Sequence, residues 1–159
     1  MSATPGQPNP YLRTRILTAT PQELRMMLYE GAIKFCRQGR QGLEEKNYEA
    51  SFNALMRAQK IVLELSTSLD HEVAPELCSN LSALYHYIYT KLVHANVDHE
   101  VAAADEAIEL LEFQKQTWQM LMEKLTQEQA ESAGDNPDAA APDVANAQQT
   151  AISSFSARG

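Results

Sequence analysis

The chain has 159 residues, 44% hydrophobic and 21% charged, with six glycines and seven prolines, the composition of one soluble domain rather than two. No apolar run approaches the ~20 residues needed to cross a bilayer, which argues against membrane insertion. The formal net charge of −8 argues against nucleic acid, although it is uneven: residues 1–60 carry nine Lys/Arg against five Asp/Glu, the remainder four against sixteen.

The first residues, MSATPGQPNPYLRTR, place three prolines ahead of the first positive charge and lack the apolar stretch of a secretory signal, so a cytoplasmic location is expected. Pro5, Pro8 and Pro10 favour an extended, solvated start, and residues 1–19 read as a flexible amino-terminal arm. Thr20-Pro21-Gln22-Glu23 then opens the first helix: threonine caps, proline fits the first helical position and Glu23 completes a capping box. Leu24, Met27, Leu28, Gly31, Ala32 and Phe35 follow at three- and four-residue steps until Gly39 and Gly42 weaken the helix.

A second helix begins near Asn47, with Phe52, Leu55, Met56, Val62 and Leu63 on one side, Ile61, Leu65 and Leu69 on a second seam, and an end near Asp70. A third starts around Pro75, presents Leu77, Leu81, Leu84, Ile88, Leu92 and Ala95, and closes near Asn96. The fourth and longest takes Asp98 as N-cap and carries Val101, Ala104, Ile108, Leu111, Trp118, Met122 and Leu125. From Ser132 onward alanines, polar residues and prolines replace the periodic leucines, so 132–159 is expected to be a disordered tail, or to order only on a partner.

Nothing in this pattern alternates like a strand. Short connections between long helices predict an all-α fold, an antiparallel up-and-down four-helix bundle over residues 20–131. The two halves share no recurring motif that would favour a solenoid. Chemistry is scarce. No Glu-x-x-His step, His-x-x-x-His pair or Cys-x-x-Cys offers a metal site, and the scattered glycines form no phosphate loop. Cys36 and Cys78 lie in helical patterns as reduced core thiols. No catalytic residue, metal or cofactor is therefore assigned.

The apolar supply exceeds what a core needs, roughly three positions in seven per helix. The first helix also carries Met26, Tyr29, Ile33 and Cys36, and the third adds Cys78, Tyr85, Tyr87, Tyr89 and Val93. Two readings fit: a wide core that also seats the arm, or a groove for a partner's helix or extended segment. Leu24, Leu28, Leu84, Ile88 and Trp118, on the principal stripes, read as core.

Certain residues stand out for their order and spacing. They begin with Tyr11, Ile16, Thr18-Ala19-Thr20-Pro21, Glu23-Leu24 and Met27-Leu28-Tyr29-Glu30-Gly31-Ala32. Asn47, Ala58-Gln59-Lys60-Ile61, Glu64-Leu65 and Ser68-Leu69-Asp70 follow, then Asn80-Leu81, Leu84-Tyr85, Tyr87, Tyr89, Leu92, Ala95-Asn96 and Trp118. In that order and spacing they resemble the FliS family, and the resemblance implies the four-helix bundle and a cytosolic, non-enzymatic export chaperone that binds the carboxy-terminal polymerisation segment of flagellin and delivers it to the flagellar type III export apparatus. Expected flagellin contacts are Ile61, Leu65, Leu81, Tyr85, Tyr89 and Val93 on the outer side of the second and third helices, with Tyr11, Ile16 and Leu17 of the arm as a displaceable cap. Contacts to the export gate or to flagellar regulators, and a homodimer, stay open. The alternatives are an adaptor or regulator of another flagellar protein and a metal-binding helical bundle.

Overall fold

The computed structural model describes residues 9–135. In chain order, α1 spans Pro10–Thr18, α2 Pro21–Glu44, α3 Tyr48–Thr67, α4 Pro75–Asp98 and α5 Val101–Asp135, with no strand among the described residues. Residues 1–8 of the arm and 136–159 of the tail lie outside the described residues.

Local chemistry explains the helix starts. At α2 the Glu23 amide donates to the Thr20 hydroxyl at 3.2 Å, and the Thr20 amide donates to the Glu23 carboxylate at 3.1 Å, which forms the expected capping box. The Asn47 side chain accepts from the Ala50 amide at 3.3 Å and opens α3, while Pro75 occupies the first turn of α4.

Four boundaries differ from expectation. The arm is helical from Pro10, because Asn9 caps it by accepting from the Tyr11 amide. Asp98, expected to cap the last helix, instead ends α4, and His99 makes the turn in a left-handed conformation at φ 53. The final helix passes Ser132 and reaches Asp135, since glutamine, glutamate and alanine sustain a helix without an apolar period. Finally, α2 runs straight through Gly39 and Gly42.

Those two glycines allow close approach. A Cβ on Gly39 would lie 2.6 Å from Leu55, and one on Gly42 would lie 2.9 Å from the Ser51 backbone nitrogen. Packing connects α2 to α3, α3 to α4, α4 to α5, and α5 back to α2. The interior holds Tyr29, Ala32, Ile33 and Cys36 of α2, Leu55, Ala58, Val62 and Leu65 of α3, Tyr85, Ile88, Leu92 and Ala95 of α4, and Ala104, Ala107, Leu111 and Trp118 of α5.

The buried face of α2 is thus rotated from the expected stripe. Tyr29, Ile33 and Cys36, read as surplus, are interior, whereas Leu24, Met27, Leu28 and Phe35 are half-buried. On α4, Cys78 and Tyr85 likewise belong to the core.

Overpacking costs about 1–3 kcal/mol, more than the ~0.5–1 kcal/mol by which alanine is favoured over glycine in a helix. Gly42→Ala is therefore expected to lower the urea midpoint. Gly134→Ala, where nothing lies within 4 Å of the new carbon, should leave it unchanged or slightly raised.

Candidate partner-binding surface

A buried cation organises one end of the helices. Arg25 is 4% exposed, and its Nη2 donates to the Tyr85 hydroxyl at 2.6 Å. The Tyr85 and Tyr29 hydroxyl oxygens are 2.5 Å apart. The guanidinium carbon lies 5.6, 5.9 and 5.4 Å from the ring centres of Tyr29, Tyr85 and Trp118, within range of cation–π attraction. Trp118 in turn donates its indole N–H to the Gln22 carbonyl at 3.2 Å. One side chain of α2 thereby joins α4 and α5. Burial drives the Tyr85 hydroxyl well above its usual range, against the opposing pull of Arg25.

This cluster decides which expected contact residues are available. Tyr85 and Leu65, expected to face outward, are 0% exposed and sealed in the core; Tyr85 is held there by Arg25 and Tyr29, and Leu65 shares the inner face of α3 with Leu55, Ala58 and Val62. Ile61, Leu81, Tyr89 and Val93 are half-buried, each keeping part of its apolar surface in solvent. Leu28 and Leu84, read as core, pack against it but are half-buried, Leu24 is half-buried too, and Ile88 and Trp118 are interior.

The described part of the arm is an exposed helix. None of α1 is buried, and Tyr11 and Leu17 are 76% and 75% exposed, against 40% for Leu12 and 42% for Ile16. The helical period puts Leu12 and Ile16 on one face and leaves Tyr11 and Leu17 to either side. Arg15 reaches toward Glu30 of α2 at 3.9 Å.

Two features go beyond the sequence pattern, the first being the partial exposure of the stripe it traces on α2. Leu24, Met27, Leu28, Gly31 and Phe35 form a half-buried strip on α2, and Ile61 of α3 lies beside it, its Cδ1 3.4 Å from where a Gly31 Cβ would stand. Arg57 and Lys34 stand over the Phe35 ring at 5.5 and 5.9 Å. Second, a groove of about 450 Å³ opens between the start of α2 and the far half of α5, floored by Met26, Trp118, Met122 and Leu125 and edged by Thr20 and Glu23. Helical spacing traces the strip but not how far it is exposed, and the groove depends on tertiary placement. No group of three or more His, Cys, Asp or Glu among the described residues could hold a metal ion.

The sequence pattern of the flagellar protein FliS matches residues 4–125, most of the chain. The chain belongs to the FliS family. It is similar to the flagellar secretion chaperone FliS of Bacillus subtilis, 36% identical over 96 residues that cover 60% of this chain and 71% of that protein. The flagellar secretion chaperone FliS of Salmonella typhimurium is 31% identical over 114 residues, covering 71% of this chain and 84% of its own length. A solved structure described as a flagellar chaperone from bacteria shares the fold, with a TM-score of 0.62 and 21% identity over 72% of this chain and 95% of that one. The half-buried strip, the α3–α4 residues and nearly all of the groove of this FliS family member fall within the matched span.

Two tests address the interior on which this surface rests. Tyr85→Phe leaves the Arg25 guanidinium buried without its hydrogen-bond acceptor and should cost about 2–3 kcal/mol. Adding Arg25→Met should recover much of that loss in urea denaturation, because the orphaned charge is gone. Burial also pushes the Cys36 thiol up to about 12 from its ordinary 9.0. Between those values the unfolded chain has released the proton and the folded chain retains it. Stability is therefore intact below pH 9 and falls as pH rises, by about 1.4 kcal/mol per pH unit; Cys36→Ala should flatten the early part of that decline.

Proposed function

We propose that the chain is a flagellar secretion chaperone that binds the carboxy-terminal polymerisation segment of flagellin in the cytosol, keeps it unassembled and delivers it to the flagellar type III export apparatus. One observation carries this reading: the family match over residues 4–125 spans the helices that keep apolar side chains partly in solvent. No described helix is long and apolar enough to cross a membrane, which is compatible with a cytosolic site of action.

The four long helices act as an antiparallel bundle. Its support is the pairing of α2 with α5: Gln22 meets Trp118, Arg37 meets Glu112 and Arg40 meets Asp105, so residue numbers rise along one helix as they fall along the other. Such a frame presents rows of half-covered side chains along its length instead of a single pit. Ile61, Leu81, Tyr89 and Val93 are the client contacts, with Leu65 and Tyr85 supporting them from beneath. α1 serves as the displaceable cover, through Ile16 with Tyr11 and Leu17 beside it.

Magnitudes favour a long contact. A large apolar anchor fully buried contributes about 1.5–3 kcal/mol, whereas fixing each backbone residue of a disordered client costs roughly 1–2 kcal/mol. A few contacts would not hold a segment of many residues, so the client spreads its anchors over several helices. The same balance keeps the complex releasable.

Isothermal titration with full-length flagellin and with flagellin lacking its final segment tests the reading. Heat is expected only from the full-length client, and equal heats from both would refute it. Ile61→Ala with Val93→Ala should weaken binding by about tenfold or more while the melting temperature stays close to that of the parent; unaltered affinity would remove α3 and α4 from the contact.

A further inference from the structure

We propose that the carboxy-terminal segment 152–158 of this chain docks in the groove between the start of α2 and the far half of α5, as a tethered and displaceable occupant. The groove floor is apolar and adaptable, with two methionines, Leu125 and the Trp118 ring. The indole N–H is already bonded to the Gln22 carbonyl, so the floor asks for an apolar side chain instead of an acceptor. A neighbouring recess of about 430 Å³ shares Met26, Met122 and Thr126 and adds Glu123 at its edge. The rims therefore carry two carboxylates, Glu23 and Glu123, around an apolar base.

The last residues of the chain carry the complementary chemistry. After residue 135 the apolar side chains larger than alanine, prolines aside, are Val144, Ile152 and Phe155. Ile152 and Phe155 are three apart, a spacing that puts both on one face of a helical turn, and Arg158 follows three further on. Arg158 is also the first cation after Lys124. Two apolar anchors for the floor and one guanidinium for the acidic rim thus occur in a single short stretch.

Chain length allows the return. Gln129, at the lip of the groove, precedes Asp135 by about 9 Å of helix. Residues 136–151 span up to about 50 Å when extended, ample to bring 152–158 back. A tether of this length holds the segment at an effective concentration of roughly millimolar, so two anchors suffice for partial occupancy without a tight site. The family match ends at residue 125, so the segment 152–158 lies outside it, and the groove shares none of the proposed flagellin contacts Ile61, Leu81, Tyr89 and Val93.

Methionine-methyl NMR on the full chain tests the docking. Ile152→Ser with Phe155→Ser is expected to shift the Met26 and Met122 resonances and leave Met56 of α3 in place. A spin label on Ser156→Cys, selective because Cys36 and Cys78 are buried, is expected to broaden Met26 and Met122 to the same degree at every protein concentration. Unmoved Met26 and Met122 resonances in the double variant would overturn the proposal. So would broadening that disappears on dilution, because the segment would then belong to a second copy.

Discussion

A guanidinium enclosed by three aromatic rings sets the geometry of this protein. Transfer of a charge out of water is costly unless dipoles and ring faces replace the lost solvent. For Arg25 the replacements come from three helices: its own neighbour Tyr29 on α2, Tyr85 on α4 and Trp118 on α5. The hydroxyl of Tyr85 is shared between Arg25 and Tyr29, so a rotation of α2 about its axis would strand a charge and two phenols together. The interaction fixes which side of α2 faces inward and how far α5 slides along it. The half-buried strip and the groove floor are consequences of that choice.

Along the rest of the helices, shape takes over from charge. Gly39 and Gly42 let α2 and α3 approach until Leu55 and the Ser51 backbone fill the space a side chain would need. On the other side α5 is flanked by ion pairs, Arg37 with Glu112, Arg40 with Asp105 and Lys91 with Glu106, while Tyr87 also donates to Glu106. Exposed pairs of this kind contribute little to stability, typically about 0–1 kcal/mol each. Their distribution matters more: these partners on α5 lie between Asp105 and Glu112, whereas its later turns rest on Trp118 and Leu125 beside an open groove.

Helix starts were legible because their causes are local. Thr20 with Glu23, Asn47 and Pro75 announce themselves within four residues, and the structure begins α2, α3 and α4 there. Faces were less legible. Hydropathy assigns an arginine to solvent, so the period through Leu24 and Leu28 outweighs the one through Arg25, Tyr29 and Cys36, and nothing local shows that Tyr85 turns inward to meet that arginine; Leu65 lies on a seam of α3 whose inward side is set only by packing. Gly39 and Gly42 read as helix breakers because their use lies in a neighbouring helix that the local pattern does not contain. The groove could not be read at all, since Met26 and Met122 meet only after α2 and α5 have packed.

Under the proposed role, apolar surface kept for a client must not drive self-association before the client arrives. Phe35 illustrates how: its ring is half-buried, and Arg57 and Lys34 stand over it, giving the exposed face a cationic cover that moves with two flexible stems. Ile61, Leu81, Tyr89 and Val93 follow the same rule by another means, each losing most of its surface to the helices. No one of them is an exposed patch large enough to drive aggregation, and in the proposed complex a long client segment covers them together. The rigid interior around Arg25 makes this possible, because it holds the rows at fixed spacing without spending their outer surface on packing.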